Sequence, residues 1–230
     1  MISTPRGPIQ VPQVPHTWTS AVGRACSVLL EAIVKRMALT QIHPNFLTFL
    51  GLVISIAAAV LFGYANAENQ TRMFRWAAAV VFAVGFFDLV DGAVARATNQ
   101  VTQFGAFFDS VVDRYSDLAL FFGLLVYYAR ANRFFFVVLV AVVMTGTVMV
   151  SYTRARAESL IGSCRVGFME RPERLVLIIL GALFNRMAPA LWVSAVISNI
   201  TVIHRTWYTW QRTRELEAAR AAQDEPAVSR

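Results

Sequence analysis

Six long apolar stretches, separated by short polar segments, set the pattern of this chain. They cover about Phe46 to Tyr64, Phe74 to Ala95, Phe104 to Ala129, Phe134 to Ala157, Glu173 to Phe184 and Ala188 to Trp207. Most reach the length of roughly 17–25 residues that a helix needs to cross a bilayer. The fifth, built on "LVLIILGALF", is marginal and also reads as a core helix shielded by its neighbours. Upstream, residues 18–39 alternate differently. Val22, Leu29, Leu30, Ile33, Val34 and Met37 form an apolar set, and Arg24, Glu31, Lys35 and Arg36 a polar one. That pattern predicts a helix lying along a membrane surface. "HPNF" then interrupts the chain, with Asn45 near the start of the next helix. The expected architecture is an all-α membrane protein of six transmembrane helices preceded by an N-terminal amphipathic surface helix. Residues 1–17, with prolines at 5, 8, 12 and 15, read as a flexible arm without a signal-peptide core. Residues 18–207 read as one membrane domain and 208–230 as a polar tail.

Composition sharpens the membrane reading. The chain is 57% hydrophobic and only 15% charged, a balance that sets it apart from a soluble domain. Cys26 and Cys164 are far apart and make neither a disulfide framework nor a metal motif. His16, His43 and His204 are scattered, and none reads as a ligand. The net charge is +7, and all but one of the 21 basic residues are Arg. In a membrane chain this excess speaks for topology and anionic lipid rather than nucleic acid. Arg72, Arg75, Arg130, Arg133 and Arg186 fall on one side of the six stretches, and most other basic residues on the opposite side. The positive-inside rule therefore places both termini in the cytoplasm of a cell (inner) membrane protein.

Against this apolar background, "DLVDGAVARATNQVTQFGAFFDSVVD" holds four carboxylates. Asp88 and Asp91 are three residues apart, and Asp109 and Asp113 four, so each pair shares a helix face. A short link joins the two stretches and predicts antiparallel neighbours, which converges the pairs near the cytoplasmic surface. Converging anions repel strongly at low dielectric, so protonation, arginine partners or metal ions must relieve them. Arg96 and Arg114 are too few to neutralise four acids. Hard divalent cations with oxygen ligands fit better, and two of them roughly 4 Å apart form a clamp for phosphoryl chemistry. A buried ion-pair network and the ion site of a cation transporter are the competing readings. Gly92 and Gly105, which permit close backbone approach, and Arg96, which offers a phosphate fork, favour a phosphate ligand. Arg114 and Asp117, three apart, predict a local ion pair.

The segment also reads D-x2-D-G-x2-A-R-x8-G-x3-D-x3-D, from Asp88 to Asp113. It resembles, without departure, the signature of the CDP-alcohol phosphotransferases, and the six-helix layout resembles that family over most of the chain. The resemblance implies a homodimer with two divalent cations, Mg2+ or Mn2+. It implies transfer of a phosphatidyl group from CDP-diacylglycerol to an alcohol, with release of CMP. Carried onto this chain, Asp88, Asp91, Asp109 and Asp113 would ligate metal, and Asp113 would also be the general base. Gly92, Ala95, Arg96 and Gly105 would line the nucleotide site, with Asn45 and Thr48 at its border.

The acceptor is read from "SYTRARAESLIGSCRVGFMERPERL", rich in Arg154, Arg156, Arg165, Arg171 and Arg174. Guanidinium groups bind phosphate in a fork, which suits a phosphorylated alcohol, although topology alone also explains part of this charge. The stretches "SYTRARAES" and "GFMERPERL" resemble bacterial phosphatidylinositol-phosphate synthases, with Arg154 where that group commonly has Lys. Related archaeal enzymes make the ether-lipid counterpart. The resemblance implies inositol 1-phosphate as acceptor and Arg154, Arg156 and Arg174 as its phosphate clamp, with Arg212 or Arg214 as a further candidate. Glycerol 3-phosphate, giving phosphatidylglycerophosphate, is the alternative acceptor.

Overall fold

A computed structural model describes residues 44–97 and 102–224, and the side chains of 45–88 and 102–221. The arm 1–17 and the surface helix expected over 18–39 lie outside the described residues. Six helices make up the described fold: α1 (Pro44–Tyr64), α2 (Gln70–Ala97), α3 (Gln103–Arg130), α4 (Phe134–Ile161), α5 (Arg171–Leu183) and α6 (Met187–Asp224). No strand occurs among the described residues.

The helices close into a ring. Going round it, α1 packs on α2, α2 on α5, α5 on α6, α6 on α4, α4 on α3, and α3 back on α1. Among the described residues, the expected α2–α3 neighbour pair is not one of these close pairs. Instead α1 backs both helices, and a groove opens between their acid-bearing ends on the α5 side. Close approach depends on small residues. At Gly123 the backbone of Ala59 stands where a Cβ would be, so α1 and α3 meet backbone to backbone. A Cβ at Gly146 would come within 3.1 Å of Ser198, and one at Gly181 within 2.9 Å of Ala190. Such small-residue seams serve helix packing where no hydrophobic effect drives association. Phe62, Phe74, Val81, Leu120, Phe121, Leu124 and Val140 fill the ring and are fully buried.

The outer surface is apolar. Phe46, Phe49, Val53, Ile56 and Val60 line one face of α1, each about half exposed. A continuous stripe of this kind is a surface for lipid rather than water. Helices α1, α4 and α6 are long and apolar enough to cross a membrane by length and composition. By contrast α5 has 13 residues and spans roughly 20 Å, short of a bilayer crossing. It starts at Arg171–Pro172, with proline in the first turn, and is packed between α2 and α6. Residues 208–224 of the polar tail are helical and continue α6, which runs unbroken for 38 residues through Asp224.

Candidate active site

Three of the four motif carboxylates have described side chains, and they come together. Asp88 lies near the end of α2, and Asp109 and Asp113 lie one turn apart in the first half of α3. Arg171, at the first residue of α5, sits among them. Its Nη1 is 2.8 Å from Asp88 Oδ2 and also donates to Asp113 Oδ1. Its Nε is 3.5 Å from Asp117 Oδ1. The partly buried guanidinium is thus surrounded by carboxylates of α2 and α3. The side chain of Asp91, and those of Gly92, Ala95 and Arg96, lie outside the described ones.

Local sequence explains these positions. Thr102 caps α3, its Oγ1 accepting from the Gly105 amide at 2.9 Å, which fixes where the helix carrying Asp109 and Asp113 begins. A Cβ on Gly105 would lie 2.9 Å from that hydroxyl and 3.4 Å from Asn45 Oδ1. Asn45 and Gly105 are thus neighbours, and Thr48, one turn along α1, is buried beside them. Gly51 of α1 faces Asp88, whose Oδ1 lies 3.7 Å from where a Cβ would be, an ordinary contact distance.

The carboxylates stand in a wall between two cavities. One, of about 420 Å3, lies between α3, α4, α5 and α6; Arg114, Arg154, Arg171, Arg174 and Arg205 line it together with Asp109, Asp113, Asp117, Glu158 and Glu170. The other, of about 430 Å3, is the groove between α2, α3 and α5, lined mainly by Phe82, Phe86, Leu175, Val176 and Ile179. Asp109, Asp113, Arg171 and Pro172 belong to both.

The three arginines expected to clamp a phosphate do not share one situation. Arg154 lines the polar cavity, with Nε 3.0 Å from Glu158 and Nη1 2.5 Å from Glu170. Arg174 is buried, with Nη2 2.5 Å from Asp117 Oδ2 and Nη1 donating to the Met169 carbonyl at 2.8 Å. Arg156 is exposed and is not part of the cavity wall. Arg212 pairs with Glu215 at 2.8 Å and Arg214 lies over Trp210, both away from the cavity. The local Arg114–Asp117 pair does not form: Arg114 donates to the carbonyl and hydroxyl of Ser110, while Asp117 is taken by Arg174 and Arg171. The reach of α5 across the cavity brings two arginines to Asp117, and helical spacing carries no information about that.

Two residues missed in the sequence organise the site. One is Arg171, passed over among five similar arginines. The other is Arg205, at 1% exposure among the largest fully buried side chains. Its Nη1 donates to the Val150 carbonyl at 2.6 Å, its Nε to Val166 at 2.8 Å, and its Nη2 to Glu170 at 3.1 Å. Thr201 adds a bond to the Phe168 carbonyl at 2.9 Å. Together they fasten the loop between α4 and α5 onto α6, and so fix where Arg171 starts. The available signal was a lone arginine inside "ITVIHRTW", an ionisable group in an apolar helix.

The donor set fits a hard divalent cation. One guanidinium nitrogen already bridges carboxylates from two helices, so Asp88 and Asp113 oxygens reach a common cationic locus. All donors are oxygen, the preference of Mg2+ and Mn2+. Among the described residues, no three acidic, His or Cys side chains are already drawn into metal-ligand geometry.

Helical ring, split cavity and acidic wall together describe an all-α protein with an apolar outer face and a charged site at one end. Residues 41–209 match the model of the CDP-alcohol phosphatidyltransferase family, and the chain belongs to that family. It is therefore a transferase. It is similar to archaetidylinositol phosphate synthase of Pyrococcus horikoshii, 37% identical over 80% of this chain and 92% of the relative. It is 35% identical to phosphatidylinositol phosphate synthase of Streptomyces avermitilis over 80% of this chain and 78% of that one. The crystal structure of Mycobacterium tuberculosis phosphatidylinositol phosphate synthase with CDP-DAG bound superposes with a TM-score of 0.70 at 31% identity. That match covers 79% of this chain and 93% of the other. The same enzyme in complex with manganese and citrate gives 0.68.

Proposed function

We propose that this protein transfers the phosphatidyl group of CDP-diacylglycerol to inositol 1-phosphate, releasing CMP. One observation carries the reading: Asp109, Asp113 and Arg171 form a wall with a cavity lined by arginines and carboxylates on one side and an apolar groove on the other. The reaction joins a water-soluble, phosphorylated alcohol to a lipid, and needs these two environments at one reacting phosphorus. Among the relatives, the named synthases for inositol phosphate lipids and the CDP-DAG-bound neighbour support the assignment.

The diacylglycerol chains lie in the groove lined by Phe82, Phe86 and Leu175. Nucleotide phosphates face Gly92, Ala95, Arg96 and Gly105, with Asn45 and Thr48 at the border. Asp88, Asp91, Asp109 and Asp113 would hold two divalent cations, Mg2+ or Mn2+. When bound, these would neutralise the diphosphate and the departing CMP oxygen. Arg154 and Arg171 hold the acceptor phosphate, and Arg174 holds Asp117 beneath them. Asp113 takes the proton of the acceptor hydroxyl as its oxygen bonds to the phosphatidyl phosphorus. The bond from that phosphorus to CMP breaks, and CMP leaves with the electron pair.

In the same reading all six helices sit in the bilayer, with the short α5 shielded by its neighbours. Both termini and the acidic site face the cytoplasm of the cell membrane, and two copies associate as a homodimer.

The test uses purified protein, CDP-diacylglycerol, Mg2+ and a panel of alcohols, with CMP release as readout. Release with inositol 1-phosphate, and not with glycerol 3-phosphate, serine or free inositol, is the expected result. Release with glycerol 3-phosphate in its place would transfer the protein to phosphatidylglycerophosphate synthesis.

A further inference from the structure

At the end of the bundle away from the acids, the loops between α1 and α2, α3 and α4, and α5 and α6 surround a second polar cavity. Its volume is about 570 Å3. Gln70, on its wall, is separated from Asp88 by roughly 27 Å along α2, so this chamber is remote from the transfer site. Asn66, Gln70, Tyr127, Tyr128, Arg130 and Arg133 contribute to the wall, and no carboxylate does. Gln70 Nε2 donates to Asn185 Oδ1 at 2.8 Å and ties two of the loops together. Arg130 is partly committed, donating to the Gly63 carbonyl. Arg133 makes no ion pair among the described residues.

The surroundings show at what depth the cavity lies. Tyr64, Trp76, Phe134, Phe135 and Phe184 are exposed around this end of the bundle, from 59% to 78%. Exposed aromatic residues mark the boundary between hydrocarbon and water. From the cavity an aromatic row runs outward: Tyr128 stacks on Phe136 at 4.9 Å, Phe136 meets Phe135 at 5.6 Å, and Phe135 meets Trp192 at 5.9 Å. Arg130, Arg133, Tyr127 and Tyr128 therefore line a chamber ringed by exposed aromatics, and a row of contacting aromatic rings runs from it to the apolar outer surface.

The geometry points to a binding site for a phosphate anion here, occupied by the headgroup of an anionic phospholipid in the leaflet opposite the transfer site. Arg133 and Arg130 supply charge and donors, the tyrosine hydroxyls and amide side chains supply neutral donors, and the aromatic row supports an acyl chain. The site does not depend on the proposed acceptor or on any metal.

Native mass spectrometry of the full chain in neutral detergent tests this, with phosphatidylglycerol, phosphatidylcholine and inorganic phosphate as probes. Phosphatidylglycerol is expected to be retained in preference to phosphatidylcholine. Arg133→Gln weakens that retention by about tenfold, the worth of one charge-assisted hydrogen bond, while Arg133→Lys preserves most of it. Unchanged CMP release by Arg133→Gln shows that the fold is intact. Displacement of the lipid by inorganic phosphate identifies phosphate as the recognised group. Lipid retention that phosphate does not disturb, yet that is lost in Arg133→Gln, assigns the site to the whole headgroup. Equal retention of phosphatidylglycerol by wild type and Arg133→Gln, or equal retention of both lipids by wild type, overturns the proposal.

Discussion

Asp113 and Asp117 lie one turn apart on α3, and their neighbours give them different work. Asp113 is about a quarter exposed, faces both cavities and shares Arg171 with Asp88. Asp117 is 3% exposed and held by Arg174. Replacing Asp113 with Asn preserves shape and removes basicity. CMP release should fall by roughly 10²–10⁴-fold, the usual worth of a general base, while CDP-diacylglycerol affinity stays near wild type. Parallel turnover and binding assays check this, and wild-type turnover would remove the base assignment. The Arg174–Asp117 pair belongs to stability. Removing Arg174 leaves buried Asp117 with only the more distant Arg171 Nε, 3.5 Å away, and costs up to about 3–5 kcal/mol, the worth of a broken buried pair. Arg174→Met should therefore lower the thermal midpoint in detergent sharply. The double variant Arg174→Met with Asp117→Leu should recover much of that loss, because no orphan charge remains.

At the scale of elements, the decisive unit is the loop between α4 and α5. It contains Gly162 and Gly167 at positive φ, and Met169 at φ 62. A Cβ at Gly167 would fall 2.5 Å from Thr201 and 3.3 Å from Arg205 Nε, so the loop lies tight on α6. This loop is not held by a regular hydrogen-bond ladder. Arg205 and Thr201 supply the bonds instead. Arg205→Ala should free residues 162–170, raising their amide hydrogen exchange at least about tenfold through local opening. Arg171 would then lose its fixed origin, and the KM for the acceptor should rise more than kcat falls. Unaltered exchange in the loop would show that other contacts suffice to hold it.

For the whole molecule, the ring of helices places an acidic locus at one end of an apolar bundle. Charges of one sign gathered there are tolerated only with counter-charge. Arg171 provides one such charge, and divalent ions would provide the rest. Chelation with EDTA should abolish CMP release, and Mg2+ or Mn2+ should restore it. Mn2+ binding followed by electron paramagnetic resonance should weaken in Asp88→Asn and in Asp109→Asn. Full activity in excess chelator would contradict the proposed mechanism.

Much of this protein was legible in one dimension. Apolar runs gave the helices, since a chain in lipid must satisfy its backbone internally. Helical spacing put Asp109 and Asp113 on one face of α3, and the short link between α2 and α3 is what predicted that Asp88 converges with them. The family signature added the reaction class. The arm and surface helix fall outside the described residues, so the structure adds nothing to those expectations. Helix order around the ring was not legible, nor was the apolar groove among α2, α3 and α5. Nor did the sequence distinguish the five arginines of the acceptor region, which look alike in composition. Only packing decided that Arg174 is buried on Asp117, that Arg171 enters the carboxylates, that Arg156 faces outward, and that Arg205 from α6 fastens the loop. The division has one physical cause. Local pattern fixes which face of a helix is polar, whereas the partner that a buried charge meets depends on which distant helix lies opposite.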